Sequence, residues 1–215
     1  MVKVKICCIN SISEAKLAME YGASAIGLVG RMPSGPGPIE DELIKSIALT
    51  IPPQIATFLL TCETMAGDII HHHKKTFTNT IQLVDELPAK DYSLIKESIP
   101  AIKLVQVIHV VDESSVEEAI EISQHVDAIL LDSGKPKLAI KELGGTGRVH
   151  NWKLSRKIVE SVALPVFLAG GLTSTNVSQA IQEVQPFAVD VCSGVRTNGS
   201  LDEEKLKAFF DAIKG

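Results

Sequence analysis

Asp132 ends the apolar run Ala128-Ile129-Leu130-Leu131 and is followed by Ser133-Gly134. A carboxyl group at the rim of a low-dielectric wall has a raised pKa and can hold a proton for general-acid chemistry. The same residue suits a turn, where an aspartate accepts from nearby backbone amides, and the residues alone leave both roles open. Cys7 closes the β-rich run that starts the chain. A thiol can serve as base or nucleophile where its pKa is lowered, but a free cysteine is just as often a small buried hydrophobe. The neighbouring Cys8 is expected to point the other way and pack under a helix. Gly170-Gly171 and Ser193-Gly194 follow late β-rich runs. Their backbone N–H groups could converge on an anion, with help from a helix N-terminus, though each alone would serve equally as a tight turn. Gly144-Gly145-Thr146-Gly147 lies in the long segment after Asp132.

The histidines offer less. Consecutive residues of a helix point in different directions, so His71-His72-His73 cannot all bind one ion, and no cysteine or acidic pattern accompanies them. A solvated helix end is expected there, and no metal site. His109 ends a β-rich run and is placed to face a site; His125 falls in a helix–strand turn.

These residues need a frame. Short β-rich runs alternate with segments of helical periodicity along the whole chain. Strands are predicted at Val2–Cys7, Ala25–Val29, Gln54–Leu60, Thr80–Val84, Ile102–Ile108, Ala128–Asp132, Pro165–Ala169 and Ala188–Cys192. Each is followed by a helical segment, from Ser13–Tyr21 to Leu201–Ile213. Strict alternation implies a parallel sheet, and near-continuous apolar strands imply that both faces are covered. Eight units point to a closed (β/α)8 barrel, an α/β TIM barrel, as a single domain over residues 1–215. An open doubly wound sheet is the alternative, weakened by the lack of G-x-G-x-x-G after the first strand. In such a barrel the chemistry sits at the C-terminal ends of the strands, and phosphate sits on the turns after the last two. Cys7, Asp132, Gly170-Gly171 and Ser193-Gly194 all fall there.

Composition bounds the partners. The chain has 215 residues, with 21 basic and 26 acidic side chains for a net charge of −5, and 45% apolar residues. That excludes disorder and leaves no basic surplus for nucleic acid. No apolar run approaches the ~18 residues that span a bilayer, and the opening residues lack the apolar core of a signal peptide. Four cysteines in a chain this long, two of them adjacent, make neither a disulfide scaffold nor a zinc knuckle. Reduced thiols and a cytoplasmic location are expected.

Taken in order, several motifs resemble those of the phosphoribosylanthranilate isomerase family of tryptophan biosynthesis. Lys5-Ile6-Cys7 resembles its opening K-I-C-G, and Gly22-Ala23-x-Ala25-Ile26-Gly27 its second-strand motif. Ile81-Gln82-Leu83 resembles the start of Q-L-H-G. Leu130-Leu131-Asp132, then Gly144-Gly145-Thr146-Gly147-Arg148-x-x-Asn151-Trp152, resemble L-L-D and G-G-T-G-K-x-x-D-W. Leu168-Ala169-Gly170-Gly171-Leu172 and Val189-Asp190-Val191-Cys192-Ser193-Gly194-Val195 resemble its last two barrel strands. The resemblance implies a (β/α)8 barrel and an Amadori rearrangement of a phosphorylated sugar without metal or cofactor. It makes Asp132 the general acid and Cys7 the general base. Phosphate would sit on Gly170, Gly171, Ser193 and Gly194, Gly145 would belong to a closing loop, and Asp190 would bind near the amine or the ribose hydroxyls.

The chain also departs from those motifs. Pro36 stands where the family's second loop carries an arginine for the anthranilate carboxylate, so Arg31 or Arg196 is expected to replace it. Val84 and Asp85 replace a histidine and a glycine, Cys8 a glycine, and Arg196 a glutamate. The sixth loop, with Lys135-Pro136-Lys137 and Lys141-Glu142, is longer than many family versions. The competing expectations are a paralogous isomerase or lyase on another sugar phosphate and a phosphate-binding barrel without turnover. Homo-oligomerisation is left open.

Overall fold

The computed structural model describes residues 2–33, 35–133 and 150–214. Eight parallel strands close into a ring in chain order. They are β1 (Lys3–Ile6), β2 (Ala25–Val29), β3 (Ala56–Thr61), β4 (Thr80–Leu83), β5 (Lys103–His109), β6 (Ala128–Asp132), β7 (Val166–Leu168) and β8 (Ala188–Val191). The helices are α1 (Ile12–Tyr21), α2 (Asp41–Thr50), α3 (Ala66–Thr76), α4 (Ala89–Ser98), α5 (Ser114–Ile122), α6 (Trp152–Ser161), α7 (Val177–Val184) and α8 (Glu203–Lys214). The expected closed barrel is therefore found, and the open sheet is not.

Local chemistry sets the boundaries. Ser11 caps α1 by accepting from the Glu14 amide, and Gly22 stops it in the left-handed region at φ 108°. Asn151 caps α6 by accepting from the Lys153 amide. One element was not expected: Arg196–Thr197 and Ser200–Leu201 form a small antiparallel hairpin, β9 and β10. Its turn residues Asn198 and Gly199 both have positive φ, 51° and 84°, the backbone that an Asn-Gly hairpin turn supplies.

Strand alternation sorts the barrel into two layers. Val4, Ile6, Ile26, Leu28, Leu59, Ile81, Leu131 and Val189 point outward into the layer under the helices. Burying each such side chain contributes roughly 1.5–3 kcal/mol. The other parity points inward and is smaller and more polar. It carries Lys5, Cys7, Gly27, Phe58, Leu130, Asp132, Phe167 and Asp190. Phe58 and Phe167, from opposite walls, meet edge to face inside the barrel at 5.6 Å.

Candidate active site

Period-2 alternation puts Lys5 on the same face as Cys7, two residues below it. Lys5 is fully buried, and its Nζ lies 2.9 Å from Asp190 Oδ2 on the adjoining strand, where Lys5 and Asp190 are register partners. The ammonium also sits 5.0 Å from the centroid of the Phe58 ring. Burial disfavours the charge on Lys5, but the carboxylate of Asp190 and the thiols of Cys7 and Cys8 outweigh it, so Lys5 remains charged. Gly27 makes this arrangement fit. A Cβ there would lie 2.7 Å from Cys7 Sγ and 3.2 Å from Lys5 Nζ.

Cys7 is the first residue past β1 and is buried. A hydrogen bond from Cys8 lowers its pKa, and the charge of Lys5 adds to this against the opposing effect of burial. Asp132 ends β6, three strands away around the ring by way of β8 and β7. Its pKa is pushed up to about 6, chiefly by burial, with Asp190 adding to the rise and Lys5 working against it. One carboxylate oxygen accepts from the Ser133 amide at 2.6 Å, so the turn role expected of an aspartate here is also filled. Asp190 Oδ1 has no partner among the described residues and is free to accept from a ligand.

The two late turns come together. Gly170 and Gly171 have φ of 83° and 64°, which only glycine adopts without strain. A Cβ on Gly194 would collide with the carbonyl oxygen of Leu172, so the turns after β7 and β8 pack backbone against backbone. Asn176 holds the first turn by donating to the Gly171 carbonyl at 2.9 Å and accepting from the Thr173 amide at 2.8 Å. Gly145 and residues 144–148 of the sixth-loop motif lie outside the described residues, whereas its Asn151 and Trp152 open α6.

Several expectations need correction. Cys8 does not pack under a helix. Its φ of 61° turns the chain into the left-handed region and breaks the strand alternation. Its thiol lies 2.7 Å from Cys192 Sγ and 3.5 Å from the Pro36 carbonyl. Arg196 cannot substitute for the missing arginine, because its buried guanidinium is held by Glu14 at 2.8 Å and 3.1 Å, by the Gly199 carbonyl and by the Cys8 carbonyl. Arg31 is exposed on the loop after β2, and its backbone carbonyl accepts from Cys62 Sγ at 3.3 Å. Of the histidine tract only His71 is exposed. His72 bridges Thr61 Oγ1 and Asp41 Oδ1 at 3.1 Å and 3.0 Å, and His73 contacts the Thr78 carbonyl at 2.7 Å. Among the described residues no cluster of His, Cys, Asp or Glu has the make-up of a metal centre.

Two residues were missed as contributors to the site, and a third, His109, was expected to face it and does. Lys5 and Gly27 were visible only as members of motifs. His109, the β-ladder partner of Asp132, is 9% exposed, and among the described residues neither ring nitrogen makes a hydrogen bond of good geometry. Its inward parity was the available signal.

Comparison with known proteins adds the family. The family model for N-(5'-phosphoribosyl)anthranilate isomerase matches residues 4–212. The N-(5'-phosphoribosyl)anthranilate isomerase of Methanocella arvoryzae is 35% identical over 215 aligned residues, covering 100% of this chain and 99% of that one. Its counterpart from Methanosarcina acetivorans is 32% identical, covering 99% and 93%. Among solved structures, phosphoribosyl anthranilate isomerase from Thermotoga maritima aligns at a TM-score of 0.85 with 31% identity, over 100% of this chain and 99% of that one. A phosphoribosyl anthranilate isomerase in complex with reduced 1-(o-carboxyphenylamino)-1-deoxyribulose 5-phosphate aligns at 0.82 with 29% identity, over the same shares.

Proposed function

The chain belongs to the N-(5'-phosphoribosyl)anthranilate isomerase family, and from that membership we propose how its own residues carry the aldose-to-ketose isomerisation. Asp132 is the general acid. Burial raises its pKa to about 6, so a protonated fraction persists near neutrality. It delivers its proton to the furanose ring oxygen, and the C1–O bond opens to a Schiff base. The cationic nitrogen acidifies the hydrogen on C2. Cys7 removes that hydrogen as the general base, with Lys5 supporting the thiolate. The enolamine then becomes the aminoketose by proton transfer.

The phosphate binds the backbone N–H groups of Gly170, Gly171, Ser193 and Gly194, a reading supported by the positive φ of Gly170 and Gly171 and by the close packing of Gly194 on the Leu172 carbonyl. The free Oδ1 of Asp190 accepts from the substrate amine or a ribose hydroxyl. Arg31 supplies the cation for the carboxylate of the aglycone, and Gly145 belongs to a loop that shields the open-chain intermediate. The chain works as a single barrel on a phosphorylated sugar in the cytoplasm, without cofactor.

The observation that carries this reading is the Lys5–Asp190 pair, which acts electrostatically on both Cys7 and Asp132. The test is turnover by purified protein, with phosphoribosylanthranilate generated in place and its fluorescence followed. Rapid loss that disappears in Cys7→Ala supports the assignment. Retention of turnover by Cys7→Ala or Asp132→Asn removes that residue from the mechanism.

Position 36 favours one second reading. Pro36 brings no guanidinium, and its carbonyl faces Cys8. A phosphorylated aminoaldose with an uncharged aglycone fits that loop, and it predicts the same acid and base with no effect of Arg31→Ala.

A further inference from the structure

Cys8 and Cys192 stand on adjacent strand ends. Ile6 pairs with Val191, the Cys7 amide donates to the Val191 carbonyl at 2.8 Å, and both chains then leave the sheet. Their sulfurs are 2.7 Å apart, inside van der Waals contact and within easy closure to the ~2.05 Å of a disulfide. Neighbouring strands are spaced ~4.7–4.9 Å apart, within the Cα separations that disulfides tolerate. Cys192 is partly exposed, whereas Cys8 is 6% exposed. One thiol can meet a reagent from solvent and the other is held behind it. The acid–base roles assigned above use neither.

We propose that Cys8 and Cys192 form an oxidisable dithiol that a peroxide converts to a disulfide, and that this modification disables Cys7. The sulfur of Cys192 attacks the outer peroxide oxygen. An S–O bond forms, the O–O bond breaks, and the thiol proton leaves with the departing alcohol or water. The sulfur of Cys8 then attacks the sulfenic sulfur of Cys192. The S–S bond forms, the S–O bond breaks, and hydroxide takes the Cys8 proton to leave as water. Two thiols have lost two electrons, and the peroxide has gained them.

The consequence for Cys7 is geometric. Cys8 is bonded to it in sequence and sits in a left-handed conformation, and its S–H, which donates to the Pro36 carbonyl at 3.5 Å, favours the ionised form of Cys7. A disulfide removes that S–H donor. It also draws Cys8 toward Cys192, while Arg196 continues to grip the Cys8 carbonyl. Cys7 loses its nearest support for the thiolate and is pulled at its own C-terminal bond. The regulatory half of the proposal rests on Cys7 as the base; the formation of the disulfide does not.

The full-length reduced protein is exposed to hydrogen peroxide and analysed in three ways. Peptide mass mapping is expected to find a Cys8–Cys192 disulfide. Turnover is expected to fall by about tenfold or more, towards the ~10²–10⁴-fold of a lost general base, and to return with dithiothreitol. Alkylation of Cys7 by iodoacetamide, which needs no assumption about the substrate, is expected to slow by about tenfold. Cys192→Ser is expected to keep basal turnover and to survive a peroxide dose that inactivates the wild type. Oxidation confined to Cys7, or equal sensitivity of Cys192→Ser and wild type, overturns the proposal. A mapped disulfide with unchanged Cys7 alkylation overturns its regulatory half. Absence of turnover in the untreated protein, with the disulfide and slowed alkylation intact, counts against the family reaction and leaves the dithiol standing.

Discussion

Lys5 Nζ and Asp190 Oδ2 form a 2.9 Å buried ion pair between β1 and β8, and this pair acts electrostatically on both Cys7 and Asp132, the proposed base and acid. Lys5 favours the ionised form of Cys7 and of Asp132, while Asp190 opposes both. The two charges therefore act on Cys7 and Asp132 together.

Removing Lys5 should separate stability from chemistry. Lys5→Met leaves Asp190 buried without its cation, a change that typically costs roughly 3–5 kcal/mol. Lys5→Met/Asp190→Leu should recover most of that loss, because an apolar pair of similar volume is tolerated there. Neither variant should restore the thiolate. The pH dependence of Cys7 alkylation should move upward in both, and an unmoved profile would dismiss Lys5 as a positioning residue.

Asp132 should trade stability for function. Its pKa is about 6 in the fold against an ordinary value of 3.8 for an aspartate. The folded state therefore binds more protons than the unfolded one between those values. The contribution is fully present below the lower value and is lost as pH rises through about 6, by up to about 3 kcal/mol. Asp132→Asn should abolish turnover, unfold later than wild type at pH 7, and lose that advantage at acidic pH. Denaturant melts at pH 4 and 7 test this, and equal stability at both would refute the burial effect.

Gly194 should be intolerant of any side chain. Gly194→Ala drives a methyl group into the Leu172 carbonyl and pushes the two late turns apart. KM for the phosphorylated substrate should rise by about tenfold or more while kcat changes less, since ground-state and transition-state phosphate binding are lost alike. A fall in kcat alone would place the glycine outside the phosphate site.

His109 is buried, and burial lowers its pKa, so it is neutral at pH 7. A buried imidazole without good hydrogen bonds costs about 1–3 kcal/mol. His109→Leu should therefore raise Tm. If the free nitrogens wait for substrate, kcat/KM should fall in the same variant. A gain in Tm with unchanged kcat/KM would mean that the ring contacts no substrate.

The barrel was legible because its signals are local. Apolar runs such as Ala128–Leu131, helix caps such as Ser11 and stops such as Gly22 each announce an element within a few residues. The glycine turns after β7 and β8 were legible for the same reason. Cys8 was misread because alternation assumes an extended backbone, and a cysteine at φ 61° gives no warning of itself. The Lys5–Asp190 pair was invisible because its partners are 185 residues apart. The hairpin at Arg196–Leu201 was different: Asn198-Gly199 is a strong turn signal, and it was passed over beneath the longer helical pattern that follows.

Three contacts cross one seam, where the first strand meets the last: Lys5 with Asp190, Cys8 with Cys192, and Glu14 with Arg196. A ribosome delivers β1 long before β8. Until β8 docks, Lys5 has no counter-ion, Cys7 lacks the completed wall beside it, and the late turns do not exist. The proposed chemistry is thus tied to completion of the barrel, and an unfinished chain folded through β6 would hold Cys7, Asp132 and Lys5 without the Asp190 carboxylate that completes the buried pair.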